Sequence, residues 1–174
     1  FLRIALLVLA LSSLSTGGEL KDGKLYVDGK PFYPVGCWMG QSVDLVSRLG
    51  MNTAFLVPAA TDSGIAAFRH KMRQFGEHGI HMVPYISYGG NGVTPWAPER
   101  LRLTAALATE PNLLAWYVGD DIGPQHFDGI RQTVNILREE TPNIPTVADY
   151  IAEATPEART VFTEYIDIRC QYEY

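Results

Sequence analysis

Leu113-Leu114-Ala115-Trp116-Tyr117-Val118-Gly119-Asp120-Asp121 is an unbroken apolar run of strand length that stops at two adjacent carboxylates. A strand with one solvated face alternates apolar and polar residues. An uninterrupted apolar run therefore predicts burial on both faces, as in a parallel sheet covered by helices. Acids at the carboxyl end of such a strand lie where α/β folds build their sites, so Asp120 and Asp121 are the first candidates for chemistry.

Outward from this run the chain alternates strand and helix. Strands are predicted over 33–39, 52–57, 80–86, 113–119, 145–148 and 166–172. Between them lie helices over 42–49, 64–78, 97–109, 127–140 and 157–165. The second helix sets Ile65, Phe68, Met72 and Phe75 on one face and closes at Gly79; the fourth sets Ile130, Val134 and Leu137 in register. Ahead of them, residues 23–32 read as a hairpin turning at Asp28-Gly29. Strands recur about every ~30 residues, the span of a βαβ unit. Cys37-Trp38-Met39-Gly40-Gln41-Ser42, after the first parallel strand, carries no G-x-G-x-x-G, which argues against a dinucleotide fold. The expected fold class is α/β: a (β/α)8 TIM barrel with an N-terminal β-hairpin, truncated after about six strands, because eight units take ~250 residues. The 174-residue sequence is thus expected to be a fragment.

Composition narrows the partners. With 47% hydrophobic and 19% charged residues and a formal charge of −5, the chain has a globular profile, without the basic stripe that nucleic acid requires. Residues 1–18 open with one arginine and an apolar run, Ile4 to Leu11, followed by small polar residues. That is the pattern of a cleaved signal peptide, too short for the ~20 residues that span a bilayer. Domain boundaries are expected at 1–18 and 19–174, in a secreted or periplasmic protein. Cys37 and Cys170 lack metal-ligand spacing and are expected buried in strands, and His70, His78, His81 and His126 are dispersed. No metal or cofactor is expected, and oligomeric state is open.

The predicted strand ends gather Trp38, Tyr85, Tyr88, Asp120, Asp121, Asp149, Tyr150, Tyr172 and Glu173, with Trp96 overhanging from the loop before the third helix. Flat rings beside acids suit sugars, which offer C–H faces for stacking and hydroxyls for hydrogen bonds. Strict alternation along the strand would turn only one of Asp120 and Asp121 toward the mouth and leave the other to cap the next helix. Trp116, mid-strand, is expected in the core.

Three stretches carry a family resemblance. Asp22-Gly23-Lys24-Leu25-Tyr26-Val27-Asp28-Gly29-Lys30-Pro31-Phe32-Tyr33-Pro34-Val35-Gly36 resembles the opening hairpin and first strand of retaining glycoside hydrolase barrels, in the clan that includes β-galactosidases and cellulases. Gly50-Met51-Asn52-Thr53 resembles the lead into their second strand. Residues 114–121 resemble their fourth strand, which ends in Asn-Glu-Pro or Asp-Glu-Pro; here Asp121 stands at the glutamate, Asp120 before it, and Ile122 at the proline. The resemblance implies Asp121 as general acid/base and Asp120 as its neighbour. The nucleophile would come from a seventh strand that this sequence does not contain, Glu173 being the only local substitute.

The function expected is that of a secreted glycoside hydrolase-like protein, acting on glycosidic bonds of a poly- or oligosaccharide by general acid/base catalysis. Trp38, Tyr85, Tyr88, Trp96, Asp149, Tyr150 and Tyr172 would contact substrate, and the fragment alone is expected to be inactive. The alternatives are a non-catalytic carbohydrate-binding barrel and a barrel enzyme of another reaction class. Sugar and linkage stay open.

Overall fold

The computed structural model describes residues 17–38, 42–86, 96–150 and 155–171. Strands β1 (Glu19–Lys21), β2 (Lys24–Val27) and β3 (Lys30–Pro31) form an antiparallel meander. Its two turns, Asp22-Gly23 and Asp28-Gly29, hold both central residues at positive φ, near 51° and 70°. Those angles make two-residue hairpin turns, with glycine taking the second position at no steric cost.

Six parallel strands follow in chain order: β4 (Gly36–Trp38), β5 (Thr53–Leu56) and β6 (His81–Pro84) in one sheet, β7 (Trp116–Ile122), β8 (Thr146–Tyr150) and β9 (Ile168–Gln171) in another. Parallel bridges Met82–Leu113 and Tyr85–Tyr117 join β6 to β7. Helices α1 (Val43–Arg48), α2 (Asp62–Glu77), α3 (Pro98–Ala105), α4 (Phe127–Glu140) and α5 (Pro156–Tyr165) occupy the connections. Ser42, Thr61 and Thr155 cap α1, α2 and α5 by accepting from the backbone N–H three residues on. The result is a mixed α/β domain of three small sheets. None of its described helices is long and apolar enough to cross a membrane.

The strands separate two apolar regions. Toward the helices lies the larger core, where Phe68, Met72 and Phe75 of α2, Trp116 and Val118 of β7, and Ile130, Val134 and Leu137 of α4 are buried together. Each such side chain contributes about 1.5–3 kcal/mol. On the opposite face, Val83, Leu114, Ala115, Tyr117 and Val147 form a smaller cluster, against which Phe55, Tyr85, Ile168 and the meander's Leu25, Val27 and Phe32 pack.

Buried polar links fix how units meet. Glu110 is nearly fully buried yet pairs with both Arg69 and Arg73 of α2 at 3.0 Å. Asn112 donates to the carbonyls of Met72 and Ile80, tying the start of the central run to α2 and β6.

Several expectations need correction. Tyr33 is not in the first parallel strand and is 82% exposed; residues 33–35 are held instead by the Asn52 side chain, which donates to the Tyr33 carbonyl and accepts from Val35 N–H. The third helix tightens to a 3-10 turn from Ala106. Cys170 is exposed rather than buried, because β9 has a strand neighbour on one side only among the described residues, and both cysteines are free. Residues 1–16 of the expected signal lie outside the described residues. Gly17 and Gly18 lie against the backbone of Leu113 and Leu114, with Gly18 N–H donating to the Leu113 carbonyl at 3.0 Å.

Candidate functional site

The site begins where β7 loses its regular register. Tyr117 pairs with Val147, Gly119 with Ala148 and Ile122 with Tyr150, so Asp120 and Asp121 together oppose the single residue Asp149. An extra residue of this kind is a β-bulge, and it bends the strand that carries it. Asp121 takes up the bend at φ 50°, a conformation that aspartate tolerates better than most residues. β7 therefore continues to Ile122 rather than stopping at Gly119. Gly119 is needed there, because a Cβ at this position would run into the Ile122 side chain.

The bulge overturns the expectation that only one of the two acids faces the mouth. Oxygens of Asp120, Asp121 and Asp149 lie within 4.8 Å of one another. Alternation fails because Asp121 is not extended. Nor does either aspartate cap the next turn: Pro124–His126 is closed by the imidazole, whose Nδ1 accepts from Gly123 N–H at 3.1 Å.

Asp149 is fully buried, and both its oxygens are engaged. Oδ2 accepts from the Tyr117 hydroxyl at 2.7 Å, and Oδ1 accepts from the backbone N–H of Asp121 at 2.6 Å. Asp120 is half-buried beside it. Burial, then the hydrogen bond and charge of Asp149, then the charge of Asp121 push the Asp120 carboxyl up to about 6; a long hydrogen bond of 3.4 Å from the Tyr85 hydroxyl pulls the other way. The cluster thus holds an acid that keeps its proton in mildly acidic solution. It also offers three oxygen ligands to a hard cation, fewer than the six to eight such ions take.

Below the acids lies a group of rings. The Trp38 centroid is 4.9 Å from Tyr85, 5.0 Å from Tyr117 and 5.6 Å from Phe55, mostly edge to face. Trp38 is nonetheless 42% exposed. Trp38, Tyr85, Asp120, Asp121 and Asp149 are thus brought to one place, as the strand ends suggested. Tyr117 and Phe55 join them unexpectedly. The period of two along β7, which buries Trp116 and Val118 against the helices, is the signal that turns Tyr117 the other way. Trp96 is not with them: it packs against the helix-side core. Of Tyr150 the backbone alone is described, in β8, and Tyr88, Tyr172 and Glu173 lie outside the described residues.

Fold and site together define the class: parallel α/β units carrying carboxylates and rings at their strand ends. No family model matches the chain, and no curated protein matches it either. Solved structures do. A β-D-glucuronidase of Dictyoglomus thermophilum superposes with a TM-score of 0.62 at 15% identity, over 91% of this chain and 32% of that one. A glycosyl hydrolase family 2 member from Bacteroides cellulosilyticus gives 0.61 at 14%, over 92% and 24%. A calcium-binding mutant of a β-glucuronidase from Bacteroides uniformis gives 0.60 at 13%, over 88% and 22%. The chain spans a third or less of each. At these identities the likeness is one of fold, and that fold is glycoside hydrolase-like.

Proposed function

We propose that this chain is a secreted or periplasmic glycoside hydrolase-like domain. Its six parallel strands form an arc of a (β/α)8 barrel, and its strand-end site binds a poly- or oligosaccharide and protonates the glycosidic oxygen. The arc is supported by strands that follow one another in chain order, all parallel. Further support is the apolar surface left open beside β4, where Val35, Leu45 and Leu49 are exposed and further βα units would pack.

The observation that carries the chemistry is the Asp120 carboxyl, raised to about 6 beside two more acids and a rim of rings. A general acid works best when it still holds its proton near the working pH, and burial among like charges is how a carboxyl achieves this. The resemblance pointed to Asp121 as the acid; the geometry favours Asp120, with Asp121 as its neighbour and Asp149 as the charge behind it. Asp149 makes a poor nucleophile. It is fully buried, its oxygens are bound, and it is hydrogen-bonded to Asp120, whereas a retaining pair stands ~5–5.5 Å apart across the scissile bond. The cluster supplies the acid half of a mechanism.

A second reading, sugar binding without turnover, is favoured by aspartate standing where the related barrels have glutamate. The side chain is shorter by one methylene, ~1.5 Å, and a misplacement of that order can cost about 100-fold in rate. The test is hydrolysis of a panel of aryl glycosides by the full-length parent carrying the complete barrel, with Asp120→Asn and Asp121→Asn measured beside its unmodified form. Asp120→Asn is expected to lose ~100-fold or more and Asp121→Asn less, general acids being worth ~100- to 10,000-fold. An Asp120→Asn protein as fast as the original removes Asp120 from the chemistry. Sugar binding with no hydrolysis by the original selects the second reading.

A further inference from the structure

Strand β6 carries a histidine that the strand-end site does not use. His81 opens the strand, and alternation puts it on the same face as Val83 and Tyr85, which pack in the smaller apolar cluster with the meander's Leu25, Val27 and Phe32. Its ring meets that of Phe32 at 4.9 Å between centroids, with 74° between the planes. The imidazole thus sits at the seam where the meander is seated on the amino ends of the parallel strands, away from the carboxylates. Its backbone N–H donates to the Asn52 carbonyl at 2.8 Å, whereas the ring Nδ1 is buried and has no hydrogen-bond partner among the described residues.

A cavity of about 480 Å3 lies beside the ring, lined by Asp28 of the meander's second turn and by Arg73 and Glu77 of α2. Arg73 is committed to the buried Glu110 at 3.0 Å. Lys30, which pairs with Val27 and so shares its face of the meander, is exposed. Thr53, in register with His81 on β5, and Asn112 in the cavity wall are uncharged. The cavity lets a proton reach the ring. In the neutral imidazole a bare Nδ1 only lacks a donor; once protonated it is an N–H with nothing to donate to, on a ring whose charge has been taken from water. Burial already pushes the His81 imidazole below the ordinary histidine value, with the charge of Asp28 opposing it.

We propose that His81 is an acid-sensitive latch: protonating its ring loosens the meander from the amino ends of the strands. The direction follows from linkage. With the folded value lowered, the undocked ring binds a proton more tightly than the docked one. The stability that His81 lends the docked meander is fully present above about pH 6.5, the ordinary histidine value, and is lost as pH falls through the lowered one. Asp120, at the other end of the strands, responds in the opposite sense. The two partly cancel in global unfolding, so the latch shows in a local measurement. It is independent of what the strand-end site binds.

The experiment is amide hydrogen exchange of the full chain, followed by NMR at about pH 7.5 and about pH 5, with each rate divided by its intrinsic value at that pH. The reporter is the Phe32 N–H, which donates to the Leu25 carbonyl at 2.8 Å within the meander; the reference is the Leu114 N–H, held by the Met82 carbonyl at 2.8 Å between the strands. A small antiparallel unit is marginal once undocked, so loosening exposes the reporter. Phe32 protection relative to Leu114 is expected to fall ~3-fold or more on acidification, and to stay level in His81→Gln, whose side chain does not titrate. Asp28→Asn keeps the turn, because asparagine tolerates φ 51°, and removes a charge that favours the protonated ring; its fall should be deeper. A level ratio in the unmodified chain, or an equal fall in His81→Gln, overturns the latch. If His81→Gln does not fold, Asp28→Asn decides: a fall no deeper than that of the unmodified chain overturns it.

Discussion

The two faces of the parallel strands are built on different principles. Against the helices the strands meet a core filled mainly by buried apolar side chains, with hydrogen-bonded polar groups set among them: Trp116 is fully buried and its indole N–H donates to Thr141 Oγ1 at 2.9 Å, which in turn donates to the Leu137 carbonyl at 2.8 Å. On the other face the same strands carry rings that are partly open and carboxyls that crowd one another. One face gains stability from burial; the other accepts like-charge repulsion and exposed aromatic surface, which are costs unless a ligand meets them. β7 serves both faces, and its division of labour lasts as long as its alternation does.

Replacing Trp116 by alanine breaks the stronger side of the comparison. A large cavity would open in the helix-side core, with a loss of about 3–5 kcal/mol in urea unfolding. Tyr85→Phe, on the other face, removes one long hydrogen bond and is expected to cost less than about 1 kcal/mol. Equal losses from the two substitutions would show that the faces do not differ in this way. Gly119→Ala is expected to fall between them, at about 1–3 kcal/mol, because the new methyl must displace the Ile122 side chain and press on that of Ile130. It would also disturb the bulge that brings Asp120 and Asp121 together.

Much of this was legible in the sequence, for identifiable reasons. The strand following Ile80 and that following Leu113 announce themselves by apolar runs, and α2 by Ile65, Phe68, Met72 and Phe75 at helical spacing closed by Gly79, which does adopt φ 68°. Those are local signals. The bulge is not local. It appears only when the register of β7 on β8 is known, so strict alternation misassigned the two aspartates. Asp149 was legible as a strand-end acid but not as a buried one, since its hydrogen bonds come from residues 32 and 28 positions away. Trp96 failed for the opposite reason: its loop position says nothing of which side of the strands it packs on.

The pH response sharpens the contrast between the faces. Asp120 has its carboxyl raised to about 6, above the ordinary value near 4, so the folded state binds its proton more tightly than the unfolded chain. The stability this group contributes is fully present below about pH 4 and is lost as pH rises through about 6. Unfolding of Asp120→Asn should lack that falling limb. Asp149→Asn removes a neighbouring hydrogen bond and charge that raise Asp120, so a carboxyl NMR titration should find the Asp120 midpoint lower than in the unmodified protein. A midpoint unmoved by Asp149→Asn would mean that burial and the charge of Asp121 raise it without Asp149.

The smallest effect separates the backbone of Asp121 from its side chain. Its backbone sits at φ 50°, where glycine meets no steric penalty, and its N–H holds Asp149. Asp121→Gly keeps that donor, relaxes the backbone and removes one of three crowded carboxyls; stability should hold or rise by up to about 1 kcal/mol. Asp121→Val also keeps the N–H but forces a β-branched residue into left-handed backbone, at a cost of about 1–3 kcal/mol. Asp121→Gly as damaging as Asp121→Val would mean that the Asp121 carboxylate itself holds the strand end in shape. The expected ordering means that the left-handed backbone and its N–H, not the Asp121 carboxylate, hold the strand end in shape.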